Sequence, residues 1–173
     1  MRLGFRVLKR MQSEDGAALA EFAIMVPFLL VLLASVAEFG RYFRNYTTLT
    51  KATRAASRYL SNHQLNSTEF TRTKNLVVCG KLTCGAGDAA LVPGITASNV
   101  CIESVGSPKV TSVTVRIPRA AGDCGSSATA QGGTGGAVPY VYQPTFDIGA
   151  LLKTSLSLRL PIAPRTTMYY MID

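Results

Sequence analysis

The sequence predicts an α+β protein in which one long helix leads into a small antiparallel β-sheet domain. Three observations carry that prediction. Phe22 to Ala37 is a run of sixteen residues without a charge, interrupted only by Pro27, and a run of this kind approaches the roughly 20 apolar residues that cross a bilayer as a helix. Directly after it, Tyr42, Tyr46, Leu49, Thr53, Ala56 and Leu60 recur at three- and four-residue intervals, so they share one face of a continuing helix. Beyond residue 70 the pattern changes to short β-branched segments bounded by Gly, Pro and Ser, which read as strands.

The elements follow in chain order. Residues 1–16 form a leader in which Arg2, Arg6, Lys9 and Arg10 outnumber Glu14 and Asp15, and which ends at Gly16. Residues 17–40 are expected to span a membrane. Residues 41–65 are expected to form an amphipathic stem, with Arg41, Arg44, Lys51, Arg54 and Arg58 opposite the apolar face. No Gly or Pro interrupts Arg41 to Gln64, and Asn62, Asn66 and Ser67 supply a stop. Counted from Ala17, about 45 helical residues would reach roughly 67 Å. The basic stripe is a solvated face, or is drawn to anionic headgroups or acidic neighbours.

Residues 70–173 are expected to form the β-rich domain. Asn75 to Cys79, Val100 to Val105 and Val110 to Ile117 are candidate strands, with alternation clearest in Val113, Val115 and Ile117. Gly106-Ser107-Pro108-Lys109 between the last two suggests a hairpin turn. Six of the fifteen residues from Gly122 to Gly136 are glycine, which predicts a glycine-rich surface loop. Tyr140 to Tyr142 and Leu156 to Leu160 are further strand candidates, and Phe146 to Lys153 a short helix between them.

Charge and cysteines narrow the function. The formal net charge is +8, and a basic excess invites nucleic acid, yet no recognised binding motif accompanies it and the stem holds much of the charge, so no nucleic acid partner is expected. The leader bases lie within about fifteen residues of the apolar run, which favours a cytoplasmic N-terminus despite Arg41 and Arg44 beyond it. The rest of the chain then faces outward, in a bacterium toward the periplasm, where thiols can pair. Cys79, Cys84, Cys101 and Cys124 allow three connectivities. A Cys79/Cys84 clip would leave Cys101 and Cys124 to anchor the glycine-rich loop. Zinc is the rival use, but the spacing lacks a C-x2-C knuckle; no metal or other cofactor is expected.

Catalytic signals are weak. His63, the single histidine, sits among polar residues at the helix end. Gly85-Ala86-Gly87-Asp88-Ala89-Ala90 has the letters of a dinucleotide fingerprint, yet Pro93 and Gly94 follow where a helix would have to run. No hydrolase, zinc-protease or P-loop motif is present, so neither enzyme activity nor a small-molecule substrate is expected.

The N-terminal residues resemble a known family. Gly16-Ala17-Ala18-Leu19-Ala20-Glu21-Phe22, continuing through Pro27 to Glu38-Phe39-Gly40-Arg41, resembles the TadE-like minor pilins or pseudopilins of the tight-adherence (Tad/Flp) pilus, a branch of the type IV pilus superfamily. A looser likeness rests on Tyr140-Val141-Tyr142-Gln143-Pro144. The resemblance implies a prepilin peptidase that cuts between Gly16 and Ala17, leaving Glu21 fifth in the mature chain and Phe22 after it. It further implies a single-pass inner-membrane protein whose partners are that peptidase, other pilins, pilus assembly platform proteins and membrane lipid, with a use in surface adhesion. In a helical bundle withdrawn from lipid, a Glu21 carboxylate needs a cation, and the resemblance offers the Ala17 ammonium of a neighbouring subunit. A local role at the helix N-terminus is the alternative. The Glu38 and Arg41 pair reads as a surface contact.

Two other readings of the chain differ in where it is cut. A single-pass, membrane-anchored periplasmic binding module, not incorporated in a pilus, needs no cut at Gly16. An exported soluble domain would instead be cut near Ser35-Val36-Ala37.

Overall fold

Between Gly4 and Ser61 the chain meets one proline, and all 58 residues form a single α-helix, α1 (Gly4–Ser61). The computed structural model describes residues 4–106, 108–124, 138–146, 153 and 159–172. At 1.5 Å per residue α1 is about 87 Å long. The helix continues through Pro27, which can supply no N–H to the turn before it. The same helix runs from the basic N-terminal residues through the apolar run and on to Ser61, and its apolar stretch is long and apolar enough to cross a membrane.

Among the described residues of α1, Glu38 is the first that is buried, and from Leu49 onward one face of the helix is buried. Leu49, Ala52, Thr53, Ala56, Ser57 and Leu60 are buried, while Lys51, Arg54 and Arg58 stay in solvent. The predicted division of the stem into an apolar and a basic face is therefore the observed one, except that Tyr46 is exposed.

The turn after Ser61 leads into a second helix, α2 (Ser67–Val78). Asn66, expected to help end α1, also begins α2: its side chain accepts the Glu69 amide at 2.9 Å, an N-cap that satisfies one orphan donor of the first turn. This corrects the strand expected over Asn75 to Cys79, which is the last turn of α2. Glu69, Thr73 and Val77 are its buried residues, spaced four apart, so helical packing overrides the β-preference of Val77 and Val78.

Past α2, Cys79 pairs with Cys84 and the chain turns at Gly80, whose φ is +74°. A Cβ there would also press to 3.3 Å from the Leu91 side chain. Asp88 closes the next loop by accepting the Gly85 amide at 2.8 Å and pairing with Lys81. A short 3-10 turn (Ala97–Asn99) then delivers the chain to the sheet.

Three strands form that sheet in the order β1-β2-β3, antiparallel throughout: β1 (Cys101–Val105), β2 (Ser112–Arg116) and β3 (Arg165–Tyr169). The hairpin expected between the first two is present. Gly106 has φ +129°, and a Cβ on it would overlap Lys109 O and lie 2.7 Å from Thr111 N. Val113 and Val115 of β2 are fully buried, and the sheet meets α1 where Ser57 Oγ donates to Thr166 O at 3.0 Å. Cys101 pairs with Cys124, so one end of β1 is tied to the loop that Arg116 also holds through Asp123, while the same Arg116 pairs with Glu103 of β1.

Two expected strands are not strands. Tyr140 to Tyr142 contributes one isolated bridge, Val141 to Pro161, flanked by Tyr142 N to Leu160 O at 3.0 Å and Ile162 N to Tyr140 O at 2.9 Å; Pro139, Pro144 and Pro161 remove the donors a longer ladder needs. Of Leu156 to Leu160, residues 159 and 160 are irregular and 156–158 lie outside the described residues, as do residues 125–137 of the glycine-rich loop and 147–152 of the expected short helix. Strand β3 was not anticipated. Its neighbours finish the fold: Met171 N donates to Ser61 O at 3.0 Å and Tyr170 Oη to His63 O at 3.2 Å, pinning the end of α1.

Candidate functional site

Gly16, Ala17, Glu21 and Phe22 all lie on α1, within two turns of one another, and all are exposed. Nothing lies within 4 Å of where a Cβ on Gly16 would stand, so the fold makes no steric demand for glycine there. In a helix interior glycine is less favourable than alanine by about 1 kcal/mol. Gly16 is thus a local weak point in the helix, just before the apolar run.

Glu21 stands among exposed apolar side chains: Leu19, Phe22 and Ile24 around it are each about two-thirds exposed or more. Its carboxylate has no hydrogen-bond or ion-pair partner among the described residues. A charge so placed is tolerable in water and costly in hydrocarbon or in a dry bundle, where a cation must answer it.

Glu38, at the other end of the apolar run, is the opposite case. It is 2% exposed and three donors converge on it: the Tyr142 hydroxyl at 2.7 Å, the Phe146 amide at 3.0 Å and Arg41 Nη1 at 2.9 Å. The expectation of a surface contact with Arg41 is corrected, because the β-domain folds over the carboxylate and supplies two of its three donors. Burial, together with the bond to Glu38, pushes the Tyr142 phenol up to about 12, so it remains a donor across the physiological range. The Tyr142 ring also packs edge-on against Tyr42, centroids 5.6 Å apart, and Tyr140 donates to Pro93 O at 2.9 Å.

Glu38 and Tyr142 were absent from the expected site, yet a signal for them existed. Glu38 sits in the Glu38-Phe39-Gly40-Arg41 stretch and Tyr142 in Tyr140-Val141-Tyr142-Gln143-Pro144, the two stretches that carry the family resemblance outside the leader junction. In space they meet. The four cysteines sit apart from all of this, in two pairs within the β-domain. His63 is stacked on Tyr59 with centroids 3.9 Å apart, and its Nδ1 lies 2.7 Å from Tyr59 O. Among the described residues no group of three or more His, Cys, Asp or Glu side chains could hold a metal.

A continuous apolar helix fastened at Glu38 to a small disulfide-bonded α+β head defines a head-on-stem protein with a candidate membrane anchor. Residues 16–58 match the family model described as TadE-like protein, so this part of α1 is similar to that family. The match begins at Gly16, takes in both Glu21 and Glu38 and stops three residues before α1 ends. No curated protein and no solved structure matches the chain.

Proposed function

We propose that the chain is a minor pilin or pseudopilin that takes part in assembling or initiating a Tad pilus, as a structural component and not an enzyme. Residues 1–16 are the leader, removed by a prepilin peptidase between Gly16 and Ala17. Residues 17–40 hold the protein in the inner membrane with its N-terminus cytoplasmic, residues 41–65 form the stem, and residues 70–173 form the exported domain. Other pilins and the assembly platform are its partners, and adhesion is the use of the finished surface structure.

The observation that carries this reading is the contrast between the two glutamates. Glu38 is answered by three donors of its own chain, whereas Glu21, seventeen residues earlier in the same helix, has none among the described residues. A second chain can supply what this one does not. Cleavage after Gly16 creates an ammonium on Ala17, four residues before Glu21, and packing of stems would bring one subunit's ammonium to another's carboxylate. The test is the intact mass of the membrane-extracted chain from cells that make the pilus. A mature chain beginning at Ala17 is expected; a chain that retains Met1, or one that begins at Glu38, would overturn the proposal.

A further inference from the structure

Where the head folds over the stem, a recess of about 520 Å³ opens between α1 and the Tyr140 to Thr145 segment. Its polar lining includes Arg41, Arg44, Asn45 and Thr48 on three successive turns of α1, faced by Gln143, Thr145 and Tyr142. Among the described residues no carboxylate lines it. Arg41 is already answered by Glu38, and Tyr142 spends its hydroxyl on the same carboxylate. The side chains of Arg44, Asn45, Thr48 and Gln143 have no partner among the described residues. Among the described residues the recess therefore carries one uncompensated positive charge, a fork of guanidinium donors, and neutral donors beside it. That set suits a singly charged oxyanion with several acceptor oxygens.

Its position along the stem says where such an anion comes from. Arg41 and Arg44 lie four and seven residues beyond Ala37, the end of the uncharged run, or about 6 and 10 Å further along the helix. The headgroup layer of a bilayer is roughly 5 to 8 Å deep on each side. With the apolar run in the membrane, the Arg41 end of the recess lies within the headgroup layer, and the Arg44 backbone lies just outside it, within reach for a long side chain that tilts back toward the helix N-terminus.

We propose that this recess binds one phosphate group, that of an anionic phospholipid headgroup. Arg44 is the residue that grips it, Asn45, Thr48 and Gln143 complete its hydrogen bonds, and Arg41 stays with Glu38. A phosphodiester carries one negative charge, which matches the one unanswered cation. The inference rests on the reading of α1 as a membrane anchor, and the bound lipid would hold the stem at a fixed depth.

The test uses the full chain in micelles of a neutral maltoside detergent, titrated in parallel with dihexanoylphosphatidylglycerol and with inorganic phosphate and followed by calorimetry. Saturable binding of the lipid at one site is expected, weakened about tenfold or more in Arg44→Ala, as loss of a charge-assisted hydrogen bond predicts. Arg44→Lys should recover part of the affinity, because the charge remains while the fork is lost. Arg44 is exposed, so both variants should melt with the parent. No saturable binding, or lipid binding unchanged by Arg44→Ala, would overturn the site. Equal affinity for inorganic phosphate would overturn the lipid as its source. Membrane fractionation of the same chain, read separately, tests the anchor: a chain recovered in the soluble fraction would overturn that reading whatever the micelle titration gives.

Discussion

The hydroxyl of Tyr142 donates to the carboxylate of Glu38 at 2.7 Å across 104 residues of sequence, and this bond fastens the head to the stem where the apolar run ends. Removing the hydroxyl leaves a buried carboxylate one donor short, a loss of about 1 to 3 kcal/mol. Tyr142→Phe is therefore expected to lower the stability of the full chain in neutral micelles by that amount, measured by denaturant unfolding of the head. Glu38→Gln should also destabilise the head, because the Phe146 amide and Arg41 meet one carboxylate oxygen and Tyr142 the other, and the single amide oxygen of Gln can serve only one of those two sides. Wild-type stability in Tyr142→Phe would show that the fastening is idle.

The two disulfides should differ in what their reduction costs. Cys101 and Cys124 close a loop of 23 residues and Cys79 and Cys84 one of 5, for which the chain-entropy model gives roughly 3 and 2 kcal/mol. Alkylation of the folded, unreduced protein should label no cysteine. Replacement of Cys101 and Cys124 by serine should destabilise the head more than replacement of Cys79 and Cys84, and the reverse order would contradict the loop-closure reasoning.

Acid should weaken the head from below, for a stated reason. The Tyr59 hydroxyl, bonded to Glu69, holds that carboxyl below the usual range, Arg72 adds to the effect, and burial opposes it. Asp88 is held low by Lys81 and the Gly85 amide, and Asp123 by the Arg119 amide and by Arg116. Each depressed carboxyl contributes stability that is present above its unfolded pKa and is lost as pH falls through its folded one. Melting temperature should be level near neutrality and fall between roughly pH 4.5 and 3. Glu69→Gln should be less stable than the parent at neutral pH and should shed part of that acid dependence. A parallel pH profile for the variant would rule Glu69 out as a contributor.

What could be read from the sequence was what depended on local pattern. The uncharged run and the Tyr42 to Leu60 period defined α1, and the alternation Val113, Val115 and Ile117 with Gly106 before it defined the hairpin, because each signal lies within a few residues of the structure it causes. Helix α2 was mistaken in part for a strand because its β-branched end was visible while its cause, the Asn66 cap and a buried face of Glu69, Thr73 and Val77, depends on packing. Strand β3 was missed since Arg165 to Tyr169 has little alternation and takes its place only by pairing with β2. Gly16 and Glu21 were picked out by an isolated charge beside an apolar run, and their roles belong to the proposed function. Glu38 was not, because its two most telling donors come from more than 100 residues away.

At Gly16 the fold and the proposed peptidase make separable demands. Because a Cβ there meets nothing within 4 Å and alanine favours the helix by about 1 kcal/mol, Gly16→Ala should leave the head's unfolding unchanged and raise helicity slightly. A bulky replacement such as Gly16→Phe should also fold, yet accumulate with its leader attached. Helical content by circular dichroism and the mass of the N-terminal peptide check the two halves. Normal processing of Gly16→Phe would remove Gly16 from the peptidase site.

Glu21→Ala tests most directly whether the unanswered carboxylate exists for a neighbouring subunit. The substitution removes a charge from the apolar segment, so membrane insertion should be as good or better, and the head, which Glu21 does not touch, should fold unchanged. If the Ala17 ammonium of one subunit pairs with Glu21 of another, its removal leaves a buried charge uncompensated, at a cost of about 3 to 5 kcal/mol per contact. The measurement is surface piliation in cells carrying only the variant, alongside its processing and membrane abundance. The expected result is a processed, abundant protein and few or no pili; normal piliation with the variant as the sole copy would contradict the intersubunit role of Glu21.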